Sequence, residues 1–143
     1  MSEQQQTLTI QQAIDLAVQH HNEGRLSQAE NIYQQILEKN PNQPVALHLL
    51  GVIAHQMGKN DRAVDLISQA LAIRPDYADA HYNLGITLRA LGKLEEAVAS
   101  YQKALDLQPD YVAAHNNLGN VLLELGKPQE AIASCQKALT IKP

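Results

Sequence analysis

Apolar residues recur along this chain at intervals of three and four, in successive stretches of about a dozen residues. That spacing places apolar side chains on one face of an α-helix, and no stretch of useful length alternates with the period of two that a strand would show. The first stretch covers residues 10–22 and follows Thr9, whose spacing of three residues to Gln12 is typical of a capping box. The pattern therefore predicts an all-α chain.

Prolines and glycines separate the predicted helices and set their ends. A second capping box is predicted at Ser27 and Glu30, ahead of a helix that ends near Lys39. Pro128 suits a first helical turn, where its missing N–H is not needed. The remaining helices are predicted at residues 45–56, 61–73, 78–90, 95–107, 112–125 and 128–141.

Landmark residues repeat at a spacing of 34. They are the glycines, alanines and prolines Gly24, Gly58, Gly92 and Gly126, Ala29, Ala63, Ala97 and Ala131, and Pro41, Pro75, Pro109 and Pro143. A fixed period in this range is typical of stacked-repeat solenoids. We expect a flexible N-terminus at residues 1–9 and one array of four helix–turn–helix blocks at residues 10–43, 44–77, 78–111 and 112–143.

Small residues predict where the two helices of each block meet. They occupy the eighth place of each block, and large side chains are expected to fill the space around them. The small residues are Ala17, Gly51, Gly85 and Gly119, and the large ones are Leu16, Leu50, Leu84 and Leu118 with Tyr33, Ile67, Tyr101 and Cys135. Close helix packing follows from this pattern.

Composition and charge then exclude several classes of function. The net charge is −4 and the 11 basic residues are scattered, so we expect no nucleic-acid partner. No apolar run reaches the length of a membrane span, so no membrane partner is expected. The N-terminus lacks a secretory pattern, and the lone Cys135 excludes an intrachain disulfide, which together favour a cytoplasmic location.

The titratable residues predict neither a metal site nor a catalytic one. His20 and His21 are adjacent but point to different faces of a helix, the other histidines lie too far apart for one small ion, and no metal-binding motif is present. No nucleophile or carboxylate pair sits in a catalytic constellation, and Cys135 replaces a core aromatic, which suggests a buried, inert thiol. We therefore predict no cofactor, no metal and no enzymatic activity.

The third block carries a recognisable motif: Leu84-Gly85, Leu88, Gly92, Ala97, Tyr101, Ala104 and Pro109. It resembles the tetratricopeptide repeat, a helix–turn–helix unit of 34 residues, and the resemblance covers residues 10–143. The aromatic residue usual near the start of the first helix is replaced by Leu47, His81 and His115. The resemblance implies a right-handed superhelix with a concave groove lined by the first helices, and a role in binding a protein or peptide.

Helix geometry selects the places that should line the groove: the second, fifth, sixth, ninth, twelfth and thirteenth of each first helix. From these we take as candidate peptide-binding residues Ile14, Val18, His48, Leu49, Val52, Tyr82, Asn83, Ile86, Arg89, Asn116, Asn117 and Asn120. The apolar members either bind a ligand or pack between neighbouring first helices. Arg89 is the only cation in this set, which argues against ionic capture of a C-terminal carboxylate.

A narrower resemblance concerns Asn83 and Asn117, which precede Leu-Gly pairs. The surrounding sequences are similar to the repeats before the catalytic domain of O-linked N-acetylglucosaminyl transferases, where an asparagine at this place holds a peptide backbone. The alternative is that both asparagines bond within the array or are solvated. The lead hypothesis is a non-catalytic scaffold that binds a peptide or helix in the groove.

Two further functions stay open at the sequence level. The chain could be the substrate-recruiting arm of a larger glycosyltransferase, as the narrower resemblance implies. It could instead self-associate through its last helix, where Leu139 and Ile141 have no following helix to cover them. Either the chain is part of a longer array or this end associates with another copy.

Overall fold

The computed structural model describes residues 8–142, and within them all regular structure is helical. Residues 1–7, most of the predicted flexible N-terminus, and Pro143 lie outside the described part of the chain. The helices are α1 (Ile10–Asn22), α2 (Leu26–Lys39), α3 (Pro44–Gln56), α4 (Asn60–Ile73), α5 (Ala78–Ala90), α6 (Leu94–Leu107), α7 (Val112–Glu124) and α8 (Pro128–Ile141). The all-α prediction is confirmed.

Only one of the two predicted capping boxes forms. At α1 the Gln12 amide donates to Thr9 Oγ1 over 3.0 Å, and the Thr9 amide donates to Gln12 Oε1 over 2.9 Å. The prediction of a second capping box at Ser27 and Glu30 is wrong, because α2 already begins at Leu26, after an N-cap residue whose side chain makes no capping hydrogen bond. The preceding glycine turn is so short that Ser27 falls inside the first turn of the helix.

A left-handed glycine ends the first helix of every block. Gly24, Gly58, Gly92 and Gly126 have φ between 75° and 80°. The residue after each glycine donates its amide to a carbonyl five positions back, as Arg25 does to His20 over 2.8 Å. This is the Schellman arrangement, which requires a residue that tolerates positive φ. One repeated turn therefore sets the same helix–helix geometry four times.

Inside each block the two helices approach closely at the eighth place. A Cβ built on Gly85 would lie 2.6 Å from Tyr101 Cε1, one on Gly51 would lie 2.6 Å from Ile67 Cγ1, and one on Gly119 would lie 2.7 Å from Cys135 Sγ. The glycines are thus needed for the packing, as the sequence predicts.

The core is divided between the two halves of the array. One cluster of buried side chains runs from Ile14 to Ala70 in the first two blocks, and a second runs from Leu88 to Ala131 in the last two. Tyr33 and Tyr101 are fully buried, and among the described residues their hydroxyl groups have no hydrogen-bond partner. Burial raises the pKa of each of these hydroxyls to about 12.

Two core predictions are wrong at the ends of the array. Leu16 was expected to fill the core but is 38% exposed, because no helix precedes α1 on that side among the described residues. Cys135 was expected to be buried and is only partly so. In both cases the equivalent residue of an inner block, Leu50 or Tyr101, is buried by a neighbouring block.

Candidate ligand groove

The first helices α1, α3, α5 and α7 form one side of the solenoid, and α5 contacts both α3 and α7 directly. The predicted groove residues all lie on these helices. The structure shows how they divide between contacts within the array and surface that a ligand could reach.

One set of contacts joins the fifth place of a block to the sixth place of the next. Asn83 Nδ2 donates to His48 Nε2 over 2.8 Å. In the same way, Asn117 Nδ2 donates to the Tyr82 hydroxyl over 2.8 Å. The two asparagines that the narrower resemblance singles out therefore each use one amide N–H group inside the array, which supports the alternative stated above for those donors.

A second set joins the twelfth place of a block to the thirteenth place of the next. His21 Nε2 donates to Gln56 Oε1 over 2.7 Å, and Arg89 forms an ion pair with Glu124. We call these four residue pairs the rungs. In all four pairs the partners are 35 residues apart, which is one more than the repeat length of 34. The reason is that the two helix surfaces that face each other carry different places of the block.

His48 is the most buried of the candidate groove residues, with 3% of its surface exposed. Its Nδ1 lies 2.9 Å from the Tyr77 hydroxyl, and the two rings meet edge to face at 4.7 Å. Since the Asn83 amide can only donate to Nε2, the ring proton sits on Nδ1 and is donated to Tyr77. Burial lowers the pKa of His48 to about 4, with a smaller opposing effect from Asp79.

Three tyrosines form a cluster where blocks three and four meet. The Tyr82 ring stacks on Tyr111 at 4.9 Å and lies 5.9 Å from the Tyr101 ring. The Tyr111 hydroxyl donates to Asp79 Oδ1 over 2.7 Å. Burial raises the pKa of both Tyr82 and Tyr111. Sequence reasoning missed this cluster because its members lie at unrelated places of the block.

Two of the first helices, α5 and α7, are also fixed near their N-terminal ends by histidines. His81 Nε2 donates to the Pro75 carbonyl and His115 Nε2 to the Pro109 carbonyl, each over 2.9 Å. These are the two histidines that replace the usual aromatic residue. The recurrence of His six residues after Pro in two blocks is a signal that could have revealed the contact.

The candidate residues differ in the surface they leave for a ligand. Ile14 and His48 are buried, with 6% and 3% of their surfaces exposed, so both offer little surface to a ligand. Leu49 and Arg89 are half-buried, and Asn116 is exposed. At the ninth place, between the two sets of rungs, Val18, Val52 and Ile86 are half-buried and Asn120 is exposed.

The candidate groove is not a closed pocket. A cleft of about 870 Å³ lies instead between the second helices α6 and α8, and none of the candidate groove residues lines it. Within residues 8–142 no group of three His, Cys, Asp or Glu side chains is placed to hold a metal ion. In the same range, no helix is both long enough and apolar enough to cross a membrane.

Comparison with protein families gives three matches, all to tetratricopeptide repeat models. One model described as a tetratricopeptide repeat matches residues 20–82 and 54–99, a second matches residues 112–143, and a model described as a TPR repeat matches residues 87–126. A search of curated proteins found no match. The matches do not support the narrower resemblance to glycosyltransferase repeats.

Solved structures with this fold include several of MamA. A crystal structure of MamA superposes with a TM-score of 0.86 at 22% identity, covering 94% of this chain and 78% of that one. MamA 41-end from Desulfovibrio magneticus RS-1 gives 0.83 at 22% identity, covering 92% and 75% of the two chains. MamA MSR-1 gives 0.77 at 23% identity over 94% and 77%. At this identity the likeness establishes the fold alone.

Proposed function

Because this chain belongs to the tetratricopeptide repeat family, we propose that it is a non-catalytic scaffold that binds an extended peptide or a helix along its first helices. The fold supports an interaction role in general. The rungs, and the side chains that they leave accessible, support one specific binding surface.

The observation that carries the proposal is the line of ninth-place residues, which we call the central line: Val18, Val52, Ile86 and Asn120. The ninth place is one turn from the fifth and one turn from the twelfth, so it lies on the same helix face, between the two sets of rungs. Its three apolar members are only half-buried and so keep part of their surface exposed to solvent, which favours a binding surface.

The rungs make this surface rigid before any ligand arrives. A rung of the second set holds α1 to α3, a rung of the first set holds α3 to α5, and one rung of each set holds α5 to α7. Preorganised side chains lose less conformational entropy on binding than free ones do. The central line would therefore be presented at a fixed spacing between blocks.

Amide groups supply the polar part of the proposed site. Asn116 and Asn120 are exposed and lie one turn apart on α7, so both carboxamides can form hydrogen bonds with the backbone of a bound segment. Asn83 and Asn117 each engage one side-chain N–H within the array, which leaves the side-chain oxygen and the second N–H for a ligand. The comparisons favour neither the glycosyltransferase arm nor the self-associating array as the function.

The test uses peptides selected from a random displayed library on the intact chain. Affinities of the selected peptides are then measured for Val52→Lys and Ile86→Lys, which place a charge on the central line. We expect a loss of about tenfold or more, since burying an unpaired charge against apolar surface is costly. A pair of Ala substitutions at Asn116 and Asn120 tests the polar part in the same assay.

Matched controls are Gln69→Lys and Ala99→Lys, at exposed positions of second helices. These variants should keep full affinity, and all variants should melt within a few degrees of the parent. Selected peptides that bind the central-line variants as tightly as the controls would show that the groove is not the binding surface.

A further inference from the structure

The central line crosses the four first helices once per block, and its spacing restricts what can lie on it. The rungs join α1 to α3, α3 to α5 and α5 to α7 through side chains on the facing helix surfaces. The axes of helices packed side by side lie about 8–10 Å apart. Because its members occupy the same place on successive helices, the central line has a spacing of about 8–10 Å across the array.

A bound segment must present its apolar side chains on one face at this spacing. In a β-strand three residues span about 10 Å, but side chains alternate, so residues i and i+3 point to opposite faces. The intervals of two and four residues, which do share a face of a strand, span about 7 and 13 Å. A strand therefore does not fit the central line.

Two other backbone conformations do match the spacing. In a polyproline II segment three residues make one turn of about 9 Å, so residues i, i+3 and i+6 share a face. In an α-helix the matching interval is seven residues, which span about 10 Å and make close to two turns. Spacing alone therefore leaves a polyproline II segment and a helix that crosses the array.

The carboxamides beside the central line favour the polyproline II segment. Asn116 and Asn120 are exposed, and Asn83 and Asn117 each keep one N–H and the side-chain oxygen outside the rungs. A polyproline II backbone makes no internal hydrogen bonds, so its carbonyl groups stay available to these side chains. A helix uses its backbone groups internally and would cover the carboxamides without pairing them, which costs free energy.

Charge and aromatic surface narrow the class of segment further. The four first helices carry three carboxylates, Asp15, Asp79 and Glu124, and one cation, Arg89, which is paired with Glu124. Asp15 and Asp79 are exposed, so an acidic segment would be repelled and a neutral or basic one would not. Tyr82 is half-buried on α5 and adds aromatic surface of the kind on which polyproline II segments dock.

We propose that the groove ligand is a neutral or basic polyproline II segment with an apolar side chain at every third residue. Three such side chains contact Val18, Val52 and Ile86, and a polar side chain three residues beyond Ile86's partner reaches Asn120. The inference rests on the proposed function, because it names the conformation and the spacing of the ligand in the same groove.

Three synthetic peptides test the conformation and the spacing separately. The triplet peptide, Leu-Pro-Pro-Leu-Pro-Pro-Leu-Pro-Pro-Gln, has Leu at every third position, and its prolines hold the backbone extended. The spacing control, Leu-Pro-Leu-Pro-Leu-Pro-Pro-Pro-Pro-Gln, has the same composition with Leu at every second position. The helix control is a stapled helix with Leu at every seventh position.

Each peptide is titrated into the isotopically labelled chain, and the affinity is read from the signal shifts. We expect the triplet peptide to shift the methyl signals of Val18, Val52 and Ile86 and to bind about tenfold or more tighter than either control. The spacing control can place only one Leu at a time on the central line, and the helix control leaves the carboxamides unpaired.

Substitution then localises the site. Val52→Lys should weaken the triplet peptide by about tenfold or more, whereas Gln69→Lys, at an exposed position of α4, should leave its affinity unchanged. The inference is overturned if the triplet peptide does not bind, if either control binds as tightly, or if Val52→Lys has no effect on its affinity.

The peptides selected from the displayed library separate this inference from the proposed function. If the central-line variants weaken the selected peptides but the triplet peptide fails, the groove is still the binding surface and only the polyproline II assignment falls. If the central-line variants weaken neither the selected peptides nor the triplet peptide, both proposals fall.

Discussion

Replacing Gly85 by Ala tests whether the eighth-place glycine sets the spacing between the helices of a block. The new Cβ would lie 2.6, 2.8 and 2.9 Å from three ring atoms of Tyr101. Favourable contacts between carbon atoms lie near 3.5–4.0 Å. Tyr101 is fully buried and its ring lies 5.9 Å from the Tyr82 ring, so it has little room to move aside.

Two effects of opposite sign decide the magnitude. Overpacking a core costs about 1–3 kcal/mol, and three short contacts with a confined ring place this site at the upper end. Alanine in a helix interior stabilises by about 1 kcal/mol relative to glycine. We therefore expect a net loss of about 1–2 kcal/mol, which for a chain of this size lowers the melting temperature by roughly 3–7 °C.

Thermal and urea unfolding followed by circular dichroism measure the loss. Gly119→Ala is the matched control, because the nearest atom there is Cys135 Sγ at 2.7 Å on a partly exposed side chain that can rotate away. The first block already holds Ala17 at this place, in a terminal helix pair with a free side. A Gly85→Ala variant at least as stable as the parent would refute the reasoning, since it would show that inner helix pairs spread freely.

Three further predictions concern buried polar groups and the turn. His48 is neutral in the folded state down to about pH 4, while in the unfolded chain it takes up a proton near its ordinary pKa of about 6.5. The unfolded state thus holds more protons than the folded state between pH 7 and pH 4. The free energy of unfolding therefore falls by up to about 3 kcal/mol as the pH falls through this range. Urea unfolding of His48→Gln should show a weaker pH dependence than that of the parent chain. Tyr33→Phe and Tyr101→Phe remove buried hydroxyls that have no hydrogen-bond partner within residues 8–142, and each should stabilise the fold by about 1 kcal/mol in calorimetry; a loss of stability would reveal a partner for the hydroxyl. The Cβ of Gly92→Ala would meet no atom within 4 Å, but the residue must adopt φ of +78°, so the free energy of unfolding should fall by about 1–2 kcal/mol. Gly92→Asn should lower it less, because Asn tolerates this conformation better. Equal stabilities of the two variants would contradict a backbone origin of the loss.

The helices and their pairing were predictable because they depend on local chemistry repeated at one period. Positive φ at Gly24 and the close packing of Gly85 on Tyr101 follow from single residues that recur every 34 positions. The error at Ser27 is of the expected kind, since capping depends on where the turn ends, and a glycine turn can end one or two residues early.

The groove was less predictable because its contacts join places that are not equivalent. Comparing blocks at a period of 34 aligns His48 with Tyr82, whereas the structure joins His48 to Asn83 and Tyr82 to Asn117. Burial of His48 also depends on Tyr77, at the far end of the same block. A search at a period of 35 on the first helices would have found the rungs.

The rung between His48 and Asn83 stands between the two hydrophobic clusters, with one cluster on each side. Protonation of His48 would turn its Nε2 from an acceptor into a donor and so break the bond from Asn83. Because burial lowers the pKa of His48 to about 4, this bond is intact at neutral pH and is lost only as the pH approaches 4. At neutral pH the first two blocks and the last two are therefore joined by this polar contact as well as by apolar packing, such as that of Val64 of α4 against the second cluster, and the junction presents the groove with one fixed curvature.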